Sequence, residues 1–356
     1  MYIKKLLLNN FRNYENQEIE FDYNINVIYG DNAQGKTNII EAIFIGTMGK
    51  SFRAKKENEL IKFDEELAKI QIDYKKEDRE GKININIADK KTFFINGVKQ
   101  NKVSDIVGKI NVVIFTPDDI NIIKEGPNKR RRFLDMMISS LKPNYIHLLN
   151  NYNKVLEQRN NYLKIYNINK EESMLDVWDE QLAEYSFKIY EYRKKYIEKI
   201  DEKQKVIHKL ITESGNLSEE LKIKYVSNGK SKEEFLDNLK KARKIDLKRG
   251  FTSIGIHRDD FIVFLNNKPI NVFGSQGQQR TFILTLKLSE LKIVEEEIGE
   301  KPILLLDDFM SELDEKRRKN FIERIKENQV IITCTDKIEI EGKEIKSFYI
   351  KQGKLN

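Results

Sequence analysis

Cysteine, proline and histidine are scarce in this chain of 356 residues, which has one cysteine, five prolines and three histidines. A lone Cys334 excludes an internal disulfide and a cysteine-based metal cluster, and it fits a reducing compartment. His147, His208 and His257 stand too far apart to form a metal-ligand pair at helical spacing. No run approaches the roughly 20 apolar residues of a membrane span, and the first residues lack a signal-peptide core. We therefore expect a cytoplasmic protein with no membrane partner.

The composition is that of a folded chain, with 39% hydrophobic and 34% charged residues. This balance is too apolar for disorder and too charged for an integral membrane protein. The length predicts two packing units. Lys and Arg number 64 against 57 Asp and Glu, a formal charge of +7. A general lysine-rich bias explains that excess as well as a polyanionic partner does.

Short β-rich runs dominate both ends of the chain. Periodicity and turn residues predict strands over residues 3–8, 18–28, 67–74, 82–87, 93–98, 112–115, 261–265, 302–306, 330–335 and 344–351. The Asn96-Gly97 pair reads as a hairpin turn. The two ends are therefore expected to build one discontinuous head, residues 1–130 and 250–356.

The middle of the chain, residues 131–249, has a helical pattern and is predicted to be an inserted arm. Apolar residues recur there at intervals of three and four, in a heptad-like seam formed by Trp178, Leu182, Tyr185, Ile189, Tyr192 and Tyr196. An earlier stripe is expected to lie antiparallel to this seam, and it comprises Tyr145, Leu149, Tyr152, Leu156 and Tyr162.

A full G-x-x-x-x-G-K-[ST] motif follows the strand-like residues 25–28 and precedes a helical run, residues 38–44. Glycines let backbone N–H groups close around phosphate oxygens, and the helix N-terminus adds positive potential. Lys36 would neutralise the β- and γ-phosphates, and Thr37 would offer its hydroxyl to Mg²⁺. The predicted nucleotide cradle consists of Gly30, Asp31, Asn32, Ala33, Gln34, Gly35, Lys36 and Thr37.

Two carboxylates end the buried-strand pattern of residues 302–308. Taken alone, the pair could cap a helix. With a P-loop in the same chain, Asp307 fits the Walker-B position in the Mg²⁺ shell. Asp308 then stands where a carboxylate could polarise the attacking water. Because the two motifs lie near opposite ends of the chain, the site must be assembled from both.

A third motif, SQGQQR at residues 275–280, precedes a helical run and then the Walker-B strand. This order resembles the ABC-type ATPase head, in which the signature serine and glycine reach the γ-phosphate held by a second subunit. The resemblance makes Ser275, Gly277 and Gln278 nucleotide-contacting candidates. The chain has Asp308 where transporter heads have glutamate, and residues 333–336 contain no histidine after the next strand. Both departures predict slow hydrolysis.

The motifs together resemble the bacterial RecF family, in order and over nearly the whole chain. They are NFRNY at 10–14, the P-loop with Asn38 and 41–43, SFR at 51–53, FTPDD at 115–119, 126–127 with RRFLD at 131–135, GIHRDD at 255–260, SQGQQR, and LDDFMSELD at 306–314. Ile256 departs from the family, which usually has proline there. The resemblance implies an α/β fold, an ABC-type P-loop ATPase head with mixed β-sheets plus an inserted α-helical arm.

The same resemblance implies a function. It implies a recombination mediator for DNA repair and replication that dimerises on ATP with Mg²⁺ and has weak DNA-dependent ATPase activity. It also implies binding to gapped DNA and to single-strand/double-strand junctions, and work with RecO and RecR to load RecA. By similarity to related DNA-repair heads, Arg12 and Asn13 touch the nucleotide, next to Asn38.

Two basic clusters lie where the arm should join the head and are candidates for DNA contacts through phosphates. An ordinary solvated surface is the alternative for each. The candidates are Arg130, Arg131 and Arg132, then Lys240, Lys241, Arg243 and Lys244. The run His257-Arg258-Asp259-Asp260 could be a metal or acid/base group, but a salt-bridged turn with a structural or switch role is favoured.

Two other functional classes share the ATPase motifs. A transporter ATPase subunit would normally keep its Walker motifs about 100 to 120 residues apart and carry the missing histidine. An SMC-like structural ATPase would have arms of hundreds of residues, longer than residues 131–249. DNA-dependent ATP hydrolysis separates the transporter alternative from the others.

Overall fold

The computed structural model describes residues 1–165, 173–212, 219–338, 344–351 and 353–355. Two compact units divide the chain, Met1–Asp119 with Glu290–Asn356, and Ile120–Ser289. The second unit contains the predicted arm, residues 131–249, together with residues on both sides of it. Within the described ranges, no helix is both long and apolar enough to cross a bilayer.

The strands and helices follow one another in chain order with short 3-10 turns between them. The strands are β1 (Tyr2–Phe11), β2 (Tyr14–Glu20), β3 (Ile25–Tyr29), β4 (Ala68–Lys76), β5 (Arg79–Ile87), β6 (Lys91–Ile95), β7 (Val98–Gln100), β8 (Val112–Phe115), β9 (Leu221–Val226), β10 (Asp260–Leu265), β11 (Lys268–Pro269), β12 (Ile303–Asp307), β13 (Val330–Cys334), β14 (Ile345–Lys351) and β15 (Lys354–Leu355). The helices are α1 (Lys36–Met48), α2 (Asn121–Lys124), α3 (Pro127–Leu141), α4 (Pro143–Ile165), α5 (Ser173–Thr212), α6 (Lys232–Arg249), α7 (Ile270–Phe273), α8 (Gln276–Ile298) and α9 (Glu315–Ile325).

The first unit holds two six-stranded sheets. One is antiparallel, in the order β2-β1-β4-β5-β6-β7, and ends in the predicted hairpin at Asn96-Gly97. The single strand predicted over residues 18–28 is wrong, because β2 and β3 belong to different sheets. A turn separates them, in which the Asp22 side chain accepts a hydrogen bond from the Asn24 amide at 2.8 Å.

The other sheet of this unit is mostly parallel, in the order β15-β14-β3-β13-β12-β8. Strands β12 and β13 are buried at every position, and β8 likewise, as expected for strands covered on both faces. Parallel pairing aligns β3, β13 and β12. Their carboxyl ends therefore meet at one edge of the sheet, where ligands bind in open α/β sheets.

The second unit is mainly helical. Helices α4 and α5 pack against each other along the predicted seam. The rings of Tyr145 and Tyr192 lie 5.4 Å apart, and those of Tyr162 and Trp178 lie 5.0 Å apart. Helix α5 is thus antiparallel to α4, as predicted. The prediction of a continuous helical pattern is wrong at β9, which pairs with β10 in a three-stranded sheet. The period-two alternation of Leu221–Val226 is the sequence signal for this strand.

Candidate functional site

Three chain segments converge at the carboxyl edge of the parallel sheet. Gly30 follows β3, Asp307 ends β12, and Thr333 lies near the end of β13. The register places Thr333 opposite both Ile28 and Asp307. The predicted P-loop and the predicted Walker-B carboxylates therefore meet, although they come from opposite ends of the chain.

The P-loop wraps around the amino end of α1. The ammonium of Lys36 donates hydrogen bonds to the carbonyl oxygens of Gly30 at 2.6 Å and Asp31 at 2.9 Å. Gly35 has a φ of 109°, and a Cβ there would lie 2.5 Å from the Asn13 side chain, so the loop requires glycine. Asp31, Asn32 and Ala33 are exposed at the mouth of the loop.

Thr37 and Asp307 form the central contact of the site. The Thr37 hydroxyl donates to Asp307 Oδ1 at 2.8 Å, and the Thr333 hydroxyl lies 2.8 Å from the same oxygen. Burial raises the pKa of Asp307 against the opposing effect of these two hydroxyls. A hydroxyl oxygen beside a carboxylate is the oxygen donor set that Mg²⁺ takes in P-loop proteins, so Thr37 and Asp307 fit that ion.

Asp308 follows directly in a left-handed conformation, with a φ of 48°. Its amide donates to the Thr333 carbonyl at 3.2 Å and lies 3.1 Å from the Thr333 hydroxyl. Its carbonyl accepts the Ser311 hydroxyl at 2.6 Å. A non-glycine residue held in this region costs on the order of 1 kcal/mol, which the three contacts offset. The backbone therefore fixes the direction in which the second carboxylate leaves the strand.

Cys334 lies on β13 beside this edge and is buried. Burial raises the pKa of its thiol to about 12, and the nearby Asp308 acts in the same direction. The thiol is therefore protonated at neutral pH and unreactive. Cys334 is therefore a small residue of the core.

Glu41 is a buried carboxylate one turn into α1 that accepts several hydrogen bonds, a role that the sequence pattern did not indicate. Arg12 donates to its two oxygens at 3.0 and 2.9 Å. Arg53 and Ser51 also donate to this carboxylate, at 2.7 and 2.5 Å. Burial opposes ionisation of Glu41, but the hydrogen bonds from Arg12, Arg53 and Ser51 outweigh it and lower the pKa of the carboxyl. The available signal was a single charged residue within the otherwise apolar run of residues 39–45.

Amide side chains connect Glu41 and its two arginines to the P-loop. Asn13 donates to the Gln34 carbonyl at 3.0 Å, and Asn38 donates to Asn13 Oδ1 at 2.7 Å. Arg53 donates to Asn38 Oδ1 at 2.7 Å. Together with Arg12, these side chains line a cleft of about 540 Å³ beside the loop. The predicted nucleotide neighbours Arg12, Asn13 and Asn38 are thus brought together, and Arg53 joins them.

The signature motif lies in the second unit, at the start of α8. The Gln278 amide donates to Ser275 Oγ at 3.2 Å, and the Ser275 amide donates to Gln278 Oε1 at 2.8 Å. This reciprocal pair is a capping box, which satisfies two backbone donors at the helix start. Ser275 and Gly277 are exposed. The segment therefore presents an ordered serine and helix N-terminus to solvent.

The side chains of the basic clusters differ in their exposure and in the internal contacts that they make. Arg130 binds Asp260 in a bidentate ion pair at 2.6 and 2.9 Å, Arg131 donates to the Asp259 carbonyl at 2.5 Å, and Arg243 pairs with Asp179 at 2.7 Å. These three guanidinium groups serve internal contacts of the second unit. The exposed candidates are Arg132, Lys240, Lys241 and Lys244, of which Lys241 also pairs with Asp237 at 2.5 Å. DNA contact by any of them stays a prediction.

The run His257-Arg258-Asp259-Asp260 forms the expected salt-bridged turn, in which Asp260 pairs with Arg130 and Asp259 lies 3.9 Å from Arg193. Its structural or switch role stays a prediction. His257 Nδ1 lies 2.5 Å from the Tyr152 hydroxyl and Nε2 lies 3.0 Å from the Thr252 carbonyl. Asp259 is buried and accepts the Tyr225 hydroxyl at 2.6 Å. Burial lowers the pKa of His257 to about 4, so the imidazole is neutral. Among the residues with described placement, no acidic, histidine or cysteine cluster could hold a metal ion.

Comparisons with known proteins agree with this arrangement. A family model described as "RecF/RecN/SMC N terminal domain" matches residues 2–354. A DNA replication and repair protein RecF of Clostridium perfringens is 48% identical over 341 residues, covering 94% of this chain and 93% of the relative. A RecF of Clostridium botulinum is 44% identical over 365 residues, covering 100% of this chain and 99% of the relative.

Solved structures give the same picture. A structure of the recombination mediator protein RecF-ATP in the RecFOR pathway superposes with a TM-score of 0.93 at 42% identity, covering 100% of this chain and 97% of that one. An Smc head bound to the C-winged helix domain of ScpA has a TM-score of 0.57 at 18% identity, which shows the fold alone. The predicted fold class, an α/β ATPase head with mixed sheets and a helical arm, is confirmed. The matches favour the RecF resemblance over the transporter and SMC-like alternatives.

Proposed function

Because the chain belongs to the RecF/RecN/SMC family and within it to the RecF proteins, we propose that it is an ATP-dependent recombination mediator in DNA repair and replication. The observation that carries the ATP-dependent part is the 2.8 Å contact between Thr37 and Asp307. It joins the two elements that every P-loop ATPase needs, which are far apart in sequence.

The P-loop geometry supports nucleotide binding. Lys36 would exchange its contacts with the Gly30 and Asp31 carbonyls for the β- and γ-phosphates of ATP. Thr37 and Asp307 would hold Mg²⁺, which neutralises phosphate charge when bound. Arg12, Asn13 and Asn38 border the loop and would orient the rest of the nucleotide.

Hydrolysis is proposed to be weak and stimulated by DNA. Asp308 leaves β12 next to the Mg²⁺ ligands, and its carboxylate would orient the attacking water. Its side chain is one methylene shorter than the glutamate of transporter heads. Thr333 lies opposite Asp307 on the neighbouring strand and accepts a hydrogen bond from the Asp308 amide. A threonine at this position provides no imidazole of the kind that transporter heads carry after this strand. ATP would therefore act as a switch that holds an assembly until slow hydrolysis releases it.

Dimerisation is proposed to depend on ATP. The exposed Ser275 and Gly277 of one copy would contact the γ-phosphate bound at Lys36 of a second copy. One nucleotide would then be shared by two chains, and a dimer would contain two such sites.

DNA is the proposed macromolecular partner, in the form of gapped duplexes and single-strand/double-strand junctions. The exposed lysines Lys240 and Lys244 on α6 are one turn apart and would contact phosphates without sequence preference. By family, we propose that the protein works in the cytoplasm with RecO and RecR to load RecA.

The oligomeric state measured by light scattering tests the proposal most directly. We expect monomers without nucleotide, dimers with ATP, and faster ATP hydrolysis when gapped duplex is added. Lys36→Met should stay monomeric at every ATP concentration. A parent chain that neither dimerises with ATP nor hydrolyses it faster on gapped DNA would refute the proposal.

A further inference from the structure

The signature glutamine, Gln278, is anchored from outside its own motif. Its side-chain nitrogen donates to Glu219 Oε1 at 2.8 Å, while its side-chain oxygen accepts the Ser275 amide at 2.8 Å. Since a primary amide has one oxygen and one nitrogen end, the contact with Glu219 decides which end faces Ser275. The Glu219 carboxylate thereby sets the orientation of the capping box.

Glu219 is held in turn by a buried histidine on α5. His208 Nε2 lies 3.1 Å from Glu219 Oε2, and the Glu219 side chain is only 16% exposed. On the other side of the ring, Nδ1 lies 3.3 Å from the hydroxyl of Thr285 on α8. A chain of hydrogen bonds therefore runs from α5 through Glu219 to the residues that begin α8.

The protons along this chain can be assigned. Burial lowers the pKa of His208 against the opposing effect of Glu219, so the ring is neutral at pH 7. An ionised carboxylate only accepts hydrogen bonds, so the single ring proton resides on Nε2 and points at Glu219. Nδ1 then faces the oxygen of Thr285, whose own hydroxyl donates to the Thr281 carbonyl at 2.9 Å. The hydrogen bond from Nε2 to Glu219 is therefore the contact by which the ring holds the carboxylate.

We propose that Glu219 and His208 are positioning residues for the signature serine. The proposal rests on the proposed function, in which Ser275 contacts the nucleotide of a second copy. Ser275 Oγ accepts the Gln278 amide, so its hydroxyl proton stays available to donate to a phosphate oxygen. The Glu219 carboxylate holds Gln278, Gln278 holds the Ser275 backbone, and the hydroxyl is thereby aimed before ATP arrives. Such preorganisation removes an ordering cost from ATP-driven dimerisation.

Three variants at two adjacent positions test this series of hydrogen bonds. Glu219→Ala removes the acceptor for Gln278. Glu219→Gln restores it, since one end of the new amide accepts from Gln278 and the other donates to the opposite tautomer of His208. Glu220→Ala is the matched control, because the neighbouring carboxylate is exposed and, among the described residues, the hydrogen bonds of Glu220 are those of its backbone with Asn266.

The first measurement is amide hydrogen exchange over residues 275–280 in the full chain without nucleotide. In Glu219→Ala, we expect the Ser275 and Gln278 amides to exchange about tenfold faster, the effect of losing one hydrogen-bonded anchor. Glu219→Gln should stay within about twofold of the parent, and Glu220→Ala should match it. Gln278→Met, which removes the anchored amide from the other end, should reproduce the Glu219→Ala exchange. Unchanged exchange in Glu219→Ala and Gln278→Met would overturn the positioning role.

The second measurement is the ATP concentration that gives half-maximal dimerisation, with nucleotide binding to the monomer followed separately. Glu219→Ala should need about tenfold more ATP to dimerise, while its monomer binds ATP as the parent does. Glu219→Gln should recover the parent value, which a merely damaged fold would not do. Faster exchange with an unchanged ATP requirement would refute the link to dimerisation. A parent that never dimerises would refute the proposed function instead, and the exchange data would still decide the positioning role.

Discussion

Replacing Glu41 with glutamine keeps the side-chain volume and removes the charge that Arg12 and Arg53 share. Both arginines and Ser51 donate to the two oxygens of this fully buried carboxylate. Glutamine has one oxygen, so it can serve as acceptor for only part of this set, and its nitrogen faces another donor. The substitution therefore leaves the partly exposed positive charges of Arg12 and Arg53 without their carboxylate next to the P-loop.

The cost follows from the number and kind of bonds lost. Breaking a fully buried ion pair costs about 3 to 5 kcal/mol. Arg12 is 22% exposed and Arg53 is 35% exposed, so water screens part of the uncompensated charge. We therefore expect Glu41→Gln to lower the free energy of unfolding by about 2 to 4 kcal/mol, and the urea midpoint by about 1 M.

The assay is urea unfolding followed by far-UV circular dichroism. Fluorescence of Trp178, the single tryptophan, would report the second unit rather than the unit that holds Glu41. The matched control is Glu66→Gln, an exposed carboxylate in the same unit that should leave the midpoint unchanged. A Glu41→Gln midpoint equal to that of the parent would show that the two arginines find equal partners without the charge.

Lowering the pH should reduce the difference in unfolding free energy between the parent chain and Glu41→Gln. The hydrogen bonds of Glu41 lower the pKa of its carboxyl in the folded chain. Its contribution is therefore fully present above the unfolded pKa, about 4.3, and is lost as pH falls through the lower folded value. A stability difference that stays constant from pH 7 down to acid unfolding would contradict this assignment.

Three further predictions concern the nucleotide and DNA. Asp308→Asn should bind ATP normally but stall hydrolysis and trap the dimer, and hydrolysis at the parent rate would show that another group orients the water. Lys240→Glu with Lys244→Glu should weaken binding to gapped DNA and reduce the slope of log affinity against log salt concentration by roughly one unit per lost phosphate contact. An unchanged slope would show that these two lysines do not contact DNA. Mixing Lys36→Met with Ser275→Arg chains should restore ATP-dependent dimers with one intact site, which neither variant forms alone, and no recovery would count against a site shared by two chains.

Features encoded by neighbouring residues were predictable from the sequence. The P-loop needs only a strand, a glycine-rich turn, Lys36 and a helix start, all within one short segment, so its local conformation follows from those residues. The strand patterns of β8, β10 and β12 were confirmed for the same reason. The split between β2 and β3 was missed because an Asx turn interrupts an otherwise extended pattern.

The motifs, their order and the fold class that they imply can all be recognised in the amino-acid sequence. The partner of each polar side chain is known only from the folded chain: Glu41 binds Arg12 and Arg53, Arg131 binds the carbonyl of Asp259, and Gln278 binds Glu219. A basic run looks the same in sequence whether its side chains face solvent or an acidic partner more than a hundred residues away. Local conformation depends on adjacent residues, whereas ion pairs and hydrogen-bond chains depend on where the folded backbone brings distant ones together.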